Sequence, residues 1–425
     1  MYWGILIGLA FLMYGAMRGW SIAILAPIAG LIAAATAGEN LLPMYLEKYM
    51  VTAGTYVTNW FPMFWMGALF GEVMKVSGAA QSIARKLIDV IGVKRVVLAM
   101  MLAIAILVIG GVSVFAIIFV IYPLMLMCFK EGDIPRKLIP GVLIGGVIVS
   151  ESSFPGNPQI QNIIPTTMLG VDPMAAPFMG YTAFILMFAA ATIYLNWEVK
   201  KAKDRGEGFV DDRNELALMA QDKELPNFLL SLLPIILIMV LLNVVKFHVV
   251  VSMTAGILLT ILLFFNNMKG KIKSSLGAGT SNAYPAIMNT ALAVGFGGII
   301  QVLPGFQQLV NGLDAISGGN PYLFAFIAVN LMAGFAGSAS GGMTIALNAV
   351  GDKLLATGAN PEALARIVAV SSVGLDSLPH NGAIITMLTY AGVSHKDGYK
   401  PMFIVSVVIP VIAGLYCVVL GNLLY

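Results

Sequence analysis

Long apolar stretches fill most of the chain, and short polar segments separate them. A helix that crosses a lipid bilayer needs about 20 apolar residues, and several uninterrupted stretches reach or approach this length. They predict simple spans at 2–18, 20–37, 55–77 and 177–197 in the first half of the chain and at 226–247, 249–265, 281–303 and 401–424 in the second. The pattern therefore predicts an all-α polytopic membrane protein.

Two further apolar stretches, 135–170 and 361–393, carry residues that a helix surrounded by lipid excludes. The first is broken at 153–159 by Ser-Phe-Pro-Gly-Asn-Pro-Gln, and the second at 377–382 by Ser-Leu-Pro-His-Asn-Gly. We call them the first and the second interrupted helix. Irregular backbone at membrane depth is stable only where it is buried in protein or lines a cavity. Such breaks at corresponding places in two halves of a chain indicate the binding site of a transporter.

Two pairs of apolar helices are each joined by a turn of small residues. The pair at 94–129, the first hairpin, turns at 110–113 with Gly-Gly-Val-Ser. The pair at 320–357, the second hairpin, turns at 337–342 with Gly-Ser-Ala-Ser-Gly-Gly. Each pair is either a re-entrant hairpin or two complete crossings. We favour re-entrant hairpins because neither turn carries a charge, whereas a turn that reaches the lipid headgroups usually does.

The two halves of the chain, 1–198 and 226–425, carry these elements in the same order, which indicates an internal repeat. Residues 199–225 between them are rich in charged side chains and are predicted to form a cytoplasmic linker. Each half then crosses the membrane five times, and because five is odd, the repeats are inverted and both termini lie outside. The positive-inside rule supports this orientation, since it leaves few of the 24 Lys and Arg residues outside. Those outside are Lys48, Lys246, Lys353 and Arg366.

Composition places the chain among integral membrane proteins and excludes several other classes. It is 59% hydrophobic and 11% charged, whereas a soluble domain is about a quarter charged. Cys128 and Cys417 lie in apolar stretches, where a thiol packs as a small apolar group. The sequence contains no metal-ligand spacing, phosphate-binding loop or dinucleotide fingerprint. We therefore predict no metal, no cofactor and no nucleic-acid partner, and we expect membrane lipid around the spans.

Four predicted helix starts could together bind an anion. The second arms of the hairpins begin near Ser113 and Ser340, and the second halves of the interrupted helices begin near Asn157 and Asn381. A helix start offers free N–H groups and about half a positive charge, and inverted repeats would bring all four to the middle of the bilayer. The alternative is that these are ordinary kinks with capped ends. The anion hypothesis predicts a substrate site formed by Gly111, Ser113, Ser153, Asn157, Gln159, Ser338, Ser340, Gly341, Ser377, His380 and Asn381.

Two acidic residues, Glu151 and Asp376, lie at nearly matching places in the interrupted helices. An ionised carboxyl at membrane depth is costly and usually has a function. Since binding a proton removes this cost, both residues are predicted to carry the coupling proton, unless they only cap a broken helix or pair with a neighbour. Gln159 or His380 is predicted to meet a substrate hydroxyl. Although Ser377, Asp376 and His380 are also the residue types of a hydrolase triad, they are neighbours on one broken helix without an oxyanion loop, so no enzyme is predicted.

Several motifs resemble those of the gluconate permease (GntP) family. They are Ser-Gly-Ala-Ala-Gln at 77–81, Gly-Gly-Val-Ser at 110–113, Pro-Arg-Lys-Leu-Ile-Pro-Gly at 135–141 and, most specifically, Pro-Gly-Asn-Pro-Gln-Ile-Gln-Asn-Ile-Ile-Pro-Thr-Thr at 155–167. The resemblance extends over nearly the whole chain. It implies a secondary transporter of the ion-transporter superfamily in the bacterial inner membrane, which moves organic anions such as sugar acids or small hydroxy acids with protons. Related folds are homodimers that work by an elevator-type motion.

These observations predict a proton-coupled symporter that imports a small organic monocarboxylate, such as gluconate, another sugar acid or 3-hydroxybutyrate. The hairpins and interrupted helices would form a transport domain, and the outer spans would form a scaffold with the dimer surface. Coupling to sodium is the main alternative, with unwound carbonyls and serines holding the cation. A passive anion channel is the alternative of another class, and it would need no coupling acid.

Overall fold

A computed structural model describes residues 3–210, 224–379 and 381–425 of the chain, with only the backbone of residues 16 and 17. All regular secondary structure in these ranges is helical. Shorter apolar helices accompany four that are by themselves long and apolar enough to cross a membrane, namely Val114–Glu131, Pro177–Asp204, Ile272–Ile300 and His395–Leu424. The prediction of an all-α polytopic membrane protein is confirmed at this level.

Helices follow one another through both halves with short connections. The first half forms α1 (Trp3–Met17), α2 (Ile22–Thr36), α3 (Met50–Val76), α4 (Ala79–Ile91), α5 (Val96–Ile109), α6 (Val114–Glu131), α7 (Ile139–Ser153), α8 (Ile160–Met168) and α9 (Pro177–Asp204). The second half forms α10 (Phe228–Asn243), α11 (Val249–Leu263), α12 (Ile272–Ile300), α13 (Pro304–Ser317), α14 (Pro321–Ala336), α15 (Ala339–Ala356), α16 (Pro361–Ser372), α17 (Gly382–Ala391) and α18 (His395–Leu424). The hairpins are thus α5–α6 and α14–α15, and the interrupted helices are α7–α8 and α16–α17.

Several helices extend beyond the apolar stretches that predict them. Helical turns begin at Leu41, ahead of the predicted span at 55–77, and α9 continues to Asp204 in the predicted linker. Likewise, α12 begins at Ile272, ahead of the predicted span at 281–303. A helix keeps its backbone hydrogen bonds where it leaves the hydrocarbon region, and residues such as Lys, Glu and Ala favour its continuation. The end of an apolar stretch therefore does not mark the end of the helix.

The helices divide into an outer layer and an inner body. In the outer layer, α3 and α12 lie against each other along much of their length, α2 and α11 pack on them, and α1 and α10 follow. The inner body contains both hairpins, both interrupted helices, α9 and α18. Between the two, α4 packs on both sides and meets the helix that contains α5 at a bend of 105°.

The last span of each half lies in the inner body, whereas the sequence predicts it in the outer scaffold. In the structure α9 packs on α7, and α18 packs on α16 and the second hairpin. Small residues permit this close approach. A Cβ on Gly141 would lie 3.3 Å from the Leu195 side chain, and a Cβ on Gly414 would lie 2.7 Å from the Phe326 ring. Glycine at such positions lets helix backbones meet, as is common inside membrane proteins.

Two buried arginines tie the interrupted helices to each other. Arg136, just ahead of α7, donates from Nε to the carbonyl oxygen of Ala391 at the end of α17, at 2.7 Å. Arg366 of α16 donates from Nη2 to the carbonyl oxygen of Ala175 beyond α8, at 2.9 Å, and from Nη1 to Asn162 Oδ1, at 3.0 Å. The start of each interrupted helix is thus hydrogen-bonded to the end of the other. The two interrupted helices therefore run side by side in opposite directions.

Candidate functional site

A cavity of about 380 Å³ lies where the two hairpins and the two interrupted helices meet α12. Val114 and Phe115 beside the first tip reach it, and so do residues 336–340 of the second tip. From the predicted site, the polar side chains that line it are Glu151, Ser338, Ser340, Asp376, Ser377 and Asn381. No Lys, Arg or His occurs among the described residues of its lining. The volume falls within the range of roughly 300–1,000 Å³ that is typical of small-molecule sites.

A smaller cavity of about 80 Å³ lies against the first tip. Gly111, Ser113 and Gln159 from the predicted site line it, and it shares Glu151 and Gln161 with the larger cavity. The two spaces are therefore neighbours. The tertiary structure brings both tips and both breaks together around them, as the anion hypothesis requires.

Three other predicted residues, Ser153, Asn157 and Gly341, are not among the residues that line these cavities. The Ser153 hydroxyl donates to the Val149 carbonyl oxygen of its own helix, and the Gly341 N–H donates to Ser338 Oγ at 3.3 Å. His380 lies outside the described residues. The predicted roles of Ser153 and Gly341 in binding therefore have no support from their contacts, which are local to their own helices.

At the first break, the Asn157 side chain connects the two halves of the interrupted helix. Its Nδ2 donates to the carbonyl oxygens of Ser150 at 3.0 Å and Phe154 at 2.7 Å, which end α7. Its Oδ1 accepts from the Gln159 N–H at 2.9 Å, just ahead of α8 at Ile160. The side chain is fully buried and its polar atoms are occupied. It therefore stabilises the backbone of the break and does not face the cavity.

Asn381 has the same role at the second break and also reaches the second tip. Its Oδ1 accepts from the N–H groups of Ala383 at 2.7 Å and Ile384 at 3.1 Å, which caps α17. Its Nδ2 donates to the carbonyl oxygens of Asp376 at 3.0 Å and Gly337 at 3.1 Å. A single amide therefore holds the end of one half-helix, the start of the next and the neighbouring hairpin.

Serines cap the second arms of both hairpins. Ser113 Oγ accepts from the Ala116 N–H of α6 at 3.5 Å. At the second tip the cap is Ser338, and Ser340 already lies within α15. The turn is shorter than the predicted 337–342, because Gly337 ends α14 in a left-handed conformation with φ 57°. Both helix starts thus retain N–H groups beyond the one that the serine satisfies.

The first tip is tied to the first break by Gln159 and by close packing of Gly111. Gln159 Nε2 donates to the carbonyl oxygens of Val108 at 2.6 Å and Val112 at 3.1 Å. Gly111 has φ 99°, and a Cβ there would lie 2.9 Å from Pro158 Cγ. The Gln159 amide donors are thereby used within the protein, so they are not free to bind a substrate hydroxyl.

We expect Gly111→Ala to lower the melting temperature and to reduce transport. A non-glycine residue at positive φ costs about 1–2 kcal/mol, and the added methyl would also push the tip away from Pro158. Gly67→Ala is the matched control, because its Cβ would lie 3.8 Å from the Gly111 carbonyl oxygen, an ordinary contact. The check is thermal unfolding of both purified variants together with substrate uptake. If the two variants behave alike, the tip does not need this close packing.

The two acids of the interrupted helices both line the larger cavity, and each is only 6% exposed. Glu151 lies near the end of α7. Asp376 lies ahead of the second break, where its Oδ1 accepts from the Ser377 hydroxyl at 2.7 Å. Ala339 and Ser340, the first residues of α15, line the same cavity. Asp376 therefore shares the cavity with a helix start that the sequence predicts to bind the substrate.

Besides Ser21, three polar residues of the cavity, Gln161, Asn289 and Thr290, are not among the predicted site residues. Gln161 lies in the first turn of α8, and the other two lie in α12 of the outer layer. Polar residues inside an apolar stretch are the available sequence signal, but many of them only tie neighbouring helices together. Which of them face a cavity depends on the helix packing, and a single sequence does not contain that information.

Comparison with known proteins places the chain among membrane transporters. The family model described as "GntP family permease" matches residues 54–424. A Bacillus subtilis protein described as the uncharacterized transporter YxjC is 34% identical over 450 residues, which cover 95% of each chain. A Haemophilus influenzae protein described as an uncharacterized transporter is 26% identical over 319 residues, which cover 74% of this chain and 73% of the other.

A solved structure also has a similar fold. The Alcanivorax borkumensis YdaH transporter superposes with a TM-score of 0.62, covering 91% of this chain and 90% of that one, at 14% sequence identity. Because the identity is so low, this similarity concerns the fold alone. It agrees with the all-helical architecture described above.

Proposed function

The chain belongs to the GntP permease family, and we propose that it is a proton-coupled symporter that imports a small organic monocarboxylate. Membership confirms the resemblance seen in the sequence. It also confirms a secondary transporter rather than an enzyme, since the family and the relatives are permeases and transporters. The coupling ion, the substrate class and the mechanism belong to the proposal.

The observation that carries the proposal is the larger cavity, where helix starts, hydroxyls and two carboxyls meet without a basic side chain in the described lining. The starts of α15 and α17 border it at Ser338 and Asn381. Unsatisfied N–H groups at a helix start attract an anion. In many transporters the starts of broken helices bind the substrate carboxylate in this way. A small carboxylate therefore suits the cavity in both size and charge.

The two carboxyls favour proton coupling. An anion in the cavity together with ionised Glu151 and Asp376 would place three negative charges in a poorly solvated space, where like charges repel strongly. Proton uptake by the acids removes this repulsion. The anion and at least one proton are then bound together and released together, which is the requirement for symport.

Asp376 provides a direct link between the proton and the substrate. Its carboxyl accepts from the Ser377 hydroxyl and lines the same cavity as the start of α15, so its negative charge opposes binding of the substrate carboxylate there. A protonated carboxyl carries no charge, and the N–H groups of this helix start then become available to the substrate. Protonation of Asp376 and substrate binding would thus favour each other.

The arrangement of the two halves in the proposal is that of inverted repeats with re-entrant hairpins. The antiparallel interrupted helices and their arginine ties support it. The inner body would move as an elevator against the outer layer, in a homodimer in the bacterial inner membrane with both termini outside. The substrate would be gluconate, another sugar acid or a hydroxy acid such as 3-hydroxybutyrate.

Uptake into proteoliposomes tests the proposal. With the outside more acidic by about one pH unit, we expect purified protein to concentrate gluconate or 3-hydroxybutyrate up to about tenfold, since one proton per anion balances at that ratio. Replacing sodium with potassium at constant pH should change nothing. Accumulation that requires sodium would instead support sodium coupling, and equilibration without accumulation would support a passive channel. Protein-free liposomes are the control.

A further inference from the structure

Gln161 is a buried polar residue whose acceptor oxygen is left without a partner. The residue is 8% exposed, and its side chain lines both cavities. No described residue donates a hydrogen bond to its Oε1. A buried acceptor without a partner destabilises the folded protein, so proteins rarely retain one without a reason. Its position in the lining of the cavity indicates that a bound molecule supplies the missing donor.

The other amides at the breaks do not compete for this role. Asn157 and Asn381 are occupied by backbone groups of the breaks, and the Gln159 donors are bound to the first tip. Thr290, across the cavity in α12, already donates its hydroxyl to the Ala286 carbonyl oxygen at 3.0 Å. Among the buried side-chain atoms of the described residues, the acceptor in the cavity lining that lacks a partner is therefore Gln161 Oε1, and the group that it suits is a hydroxyl or another uncharged donor.

We propose that Gln161 is the residue that distinguishes hydroxylated from plain carboxylates, by accepting a hydrogen bond from a substrate hydroxyl. The carboxylate end would lie at the starts of α15 and α17, and the hydroxyl would point to the start of α8. A substrate without the hydroxyl leaves Oε1 unpaired and binds more weakly, because the buried acceptor then lacks a donor. The inference rests on the proposed carboxylate transport and adds a position for the hydroxyl.

Binding measurements on purified full-length protein test this role. The probes are three pairs of acids that differ in their hydroxyls: 3-hydroxybutyrate and butyrate, lactate and propionate, and gluconate and hexanoate. We expect the wild type to bind the hydroxylated member of at least one pair about tenfold to a hundredfold more tightly. Gln161→Met, which keeps the length of the side chain but removes the acceptor, should lower this ratio to near one by weakening the hydroxylated acid alone.

Gln161→Leu serves as a second variant if Gln161→Met does not fold. Gln307→Met is the matched control, because Gln307 is exposed on α13, donates to Asn311 Oδ1 and lines neither cavity, so its ratio should stay near that of the wild type. A wild-type ratio near one overturns the proposal. So does a Gln161→Met variant that weakens both acids equally, because its effect would then come from packing. If the wild type binds none of the acids, the proposed carboxylate transport is contradicted, and the proposed role of Gln161 is contradicted as well.

Discussion

Glu151→Gln combined with Asp376→Asn is expected to abolish accumulation driven by a pH gradient. Both carboxyls line the larger cavity and are buried, and each amide keeps the size of the side chain but cannot release a proton. If proton and anion binding are coupled through these acids, the loss should be at least about tenfold, as is typical of coupled sites. The measurement is uptake into proteoliposomes with an acidic outside.

Separate readouts distinguish lost coupling from lost folding. The double variant should still insert and elute as the wild type does, and its binding of substrate should no longer depend on pH. Glu72→Gln is the matched control, since Glu72 is a buried carboxyl that pairs with Lys75 at 2.6 Å and is not part of the cavity lining. If the double variant still concentrates substrate when the outside is acidified, the coupling group lies elsewhere or the coupling ion is sodium.

Asn157→Ala and Asn381→Ala are each expected to reduce uptake strongly, by about tenfold or more, while the protein still inserts into the membrane. Each alanine leaves several backbone groups of a break without partners, and each such group costs about 1–3 kcal/mol when it stays buried. The half-helices would then shift, and with them the helix starts that face the cavity. Transport assays on protein with a normal elution profile check this expectation.

An aspartate variant separates the two functions of the Asn381 amide. Asn381→Asp keeps the oxygen that caps α17 but loses the donor to the Asp376 and Gly337 carbonyl oxygens, so we expect an intermediate loss. Asn196→Ala is the control, because the Asn196 side chain is exposed and donates only to the Thr192 carbonyl oxygen of its own helix. Normal uptake by both alanine variants would show that the breaks do not position the site.

The positions of the breaks follow from the sequence because their causes are local. Proline lacks an N–H, glycine tolerates left-handed backbone, and both lie beside polar residues inside apolar stretches at 153–159 and 377–382. The same local logic identifies the hairpin turns. Glu151 and Asp376 are equally visible, since an acid in an apolar stretch is costly. Both do line the larger cavity.

The direction of each polar side chain could not be predicted in the same way. The sequence predicts Asn157 and Gln159 in the substrate site, yet the Asn157 amide and the Gln159 Nε2 donors are bound within the protein, while Gln161 carries an unpaired buried acceptor. Successive residues at a helix start point about 100° apart, so a shift of one or two residues in where α8 begins changes which side chain faces the cavity. That starting point depends on the Asn157 contacts and not on the apolar pattern.

By itself, the sequence determined that this is an all-helical membrane transporter of the GntP family, with paired breaks and two buried acids. These features depend on composition and on short motifs, which a chain carries before it folds. Only the tertiary structure decided which helix starts share a cavity, that α9 and α18 join the inner body, and that Asp376 lines the same cavity as the start of α15. Those outcomes depend on packing between residues far apart in the chain, where a single glycine such as Gly141 or Gly414 sets how closely two helices approach.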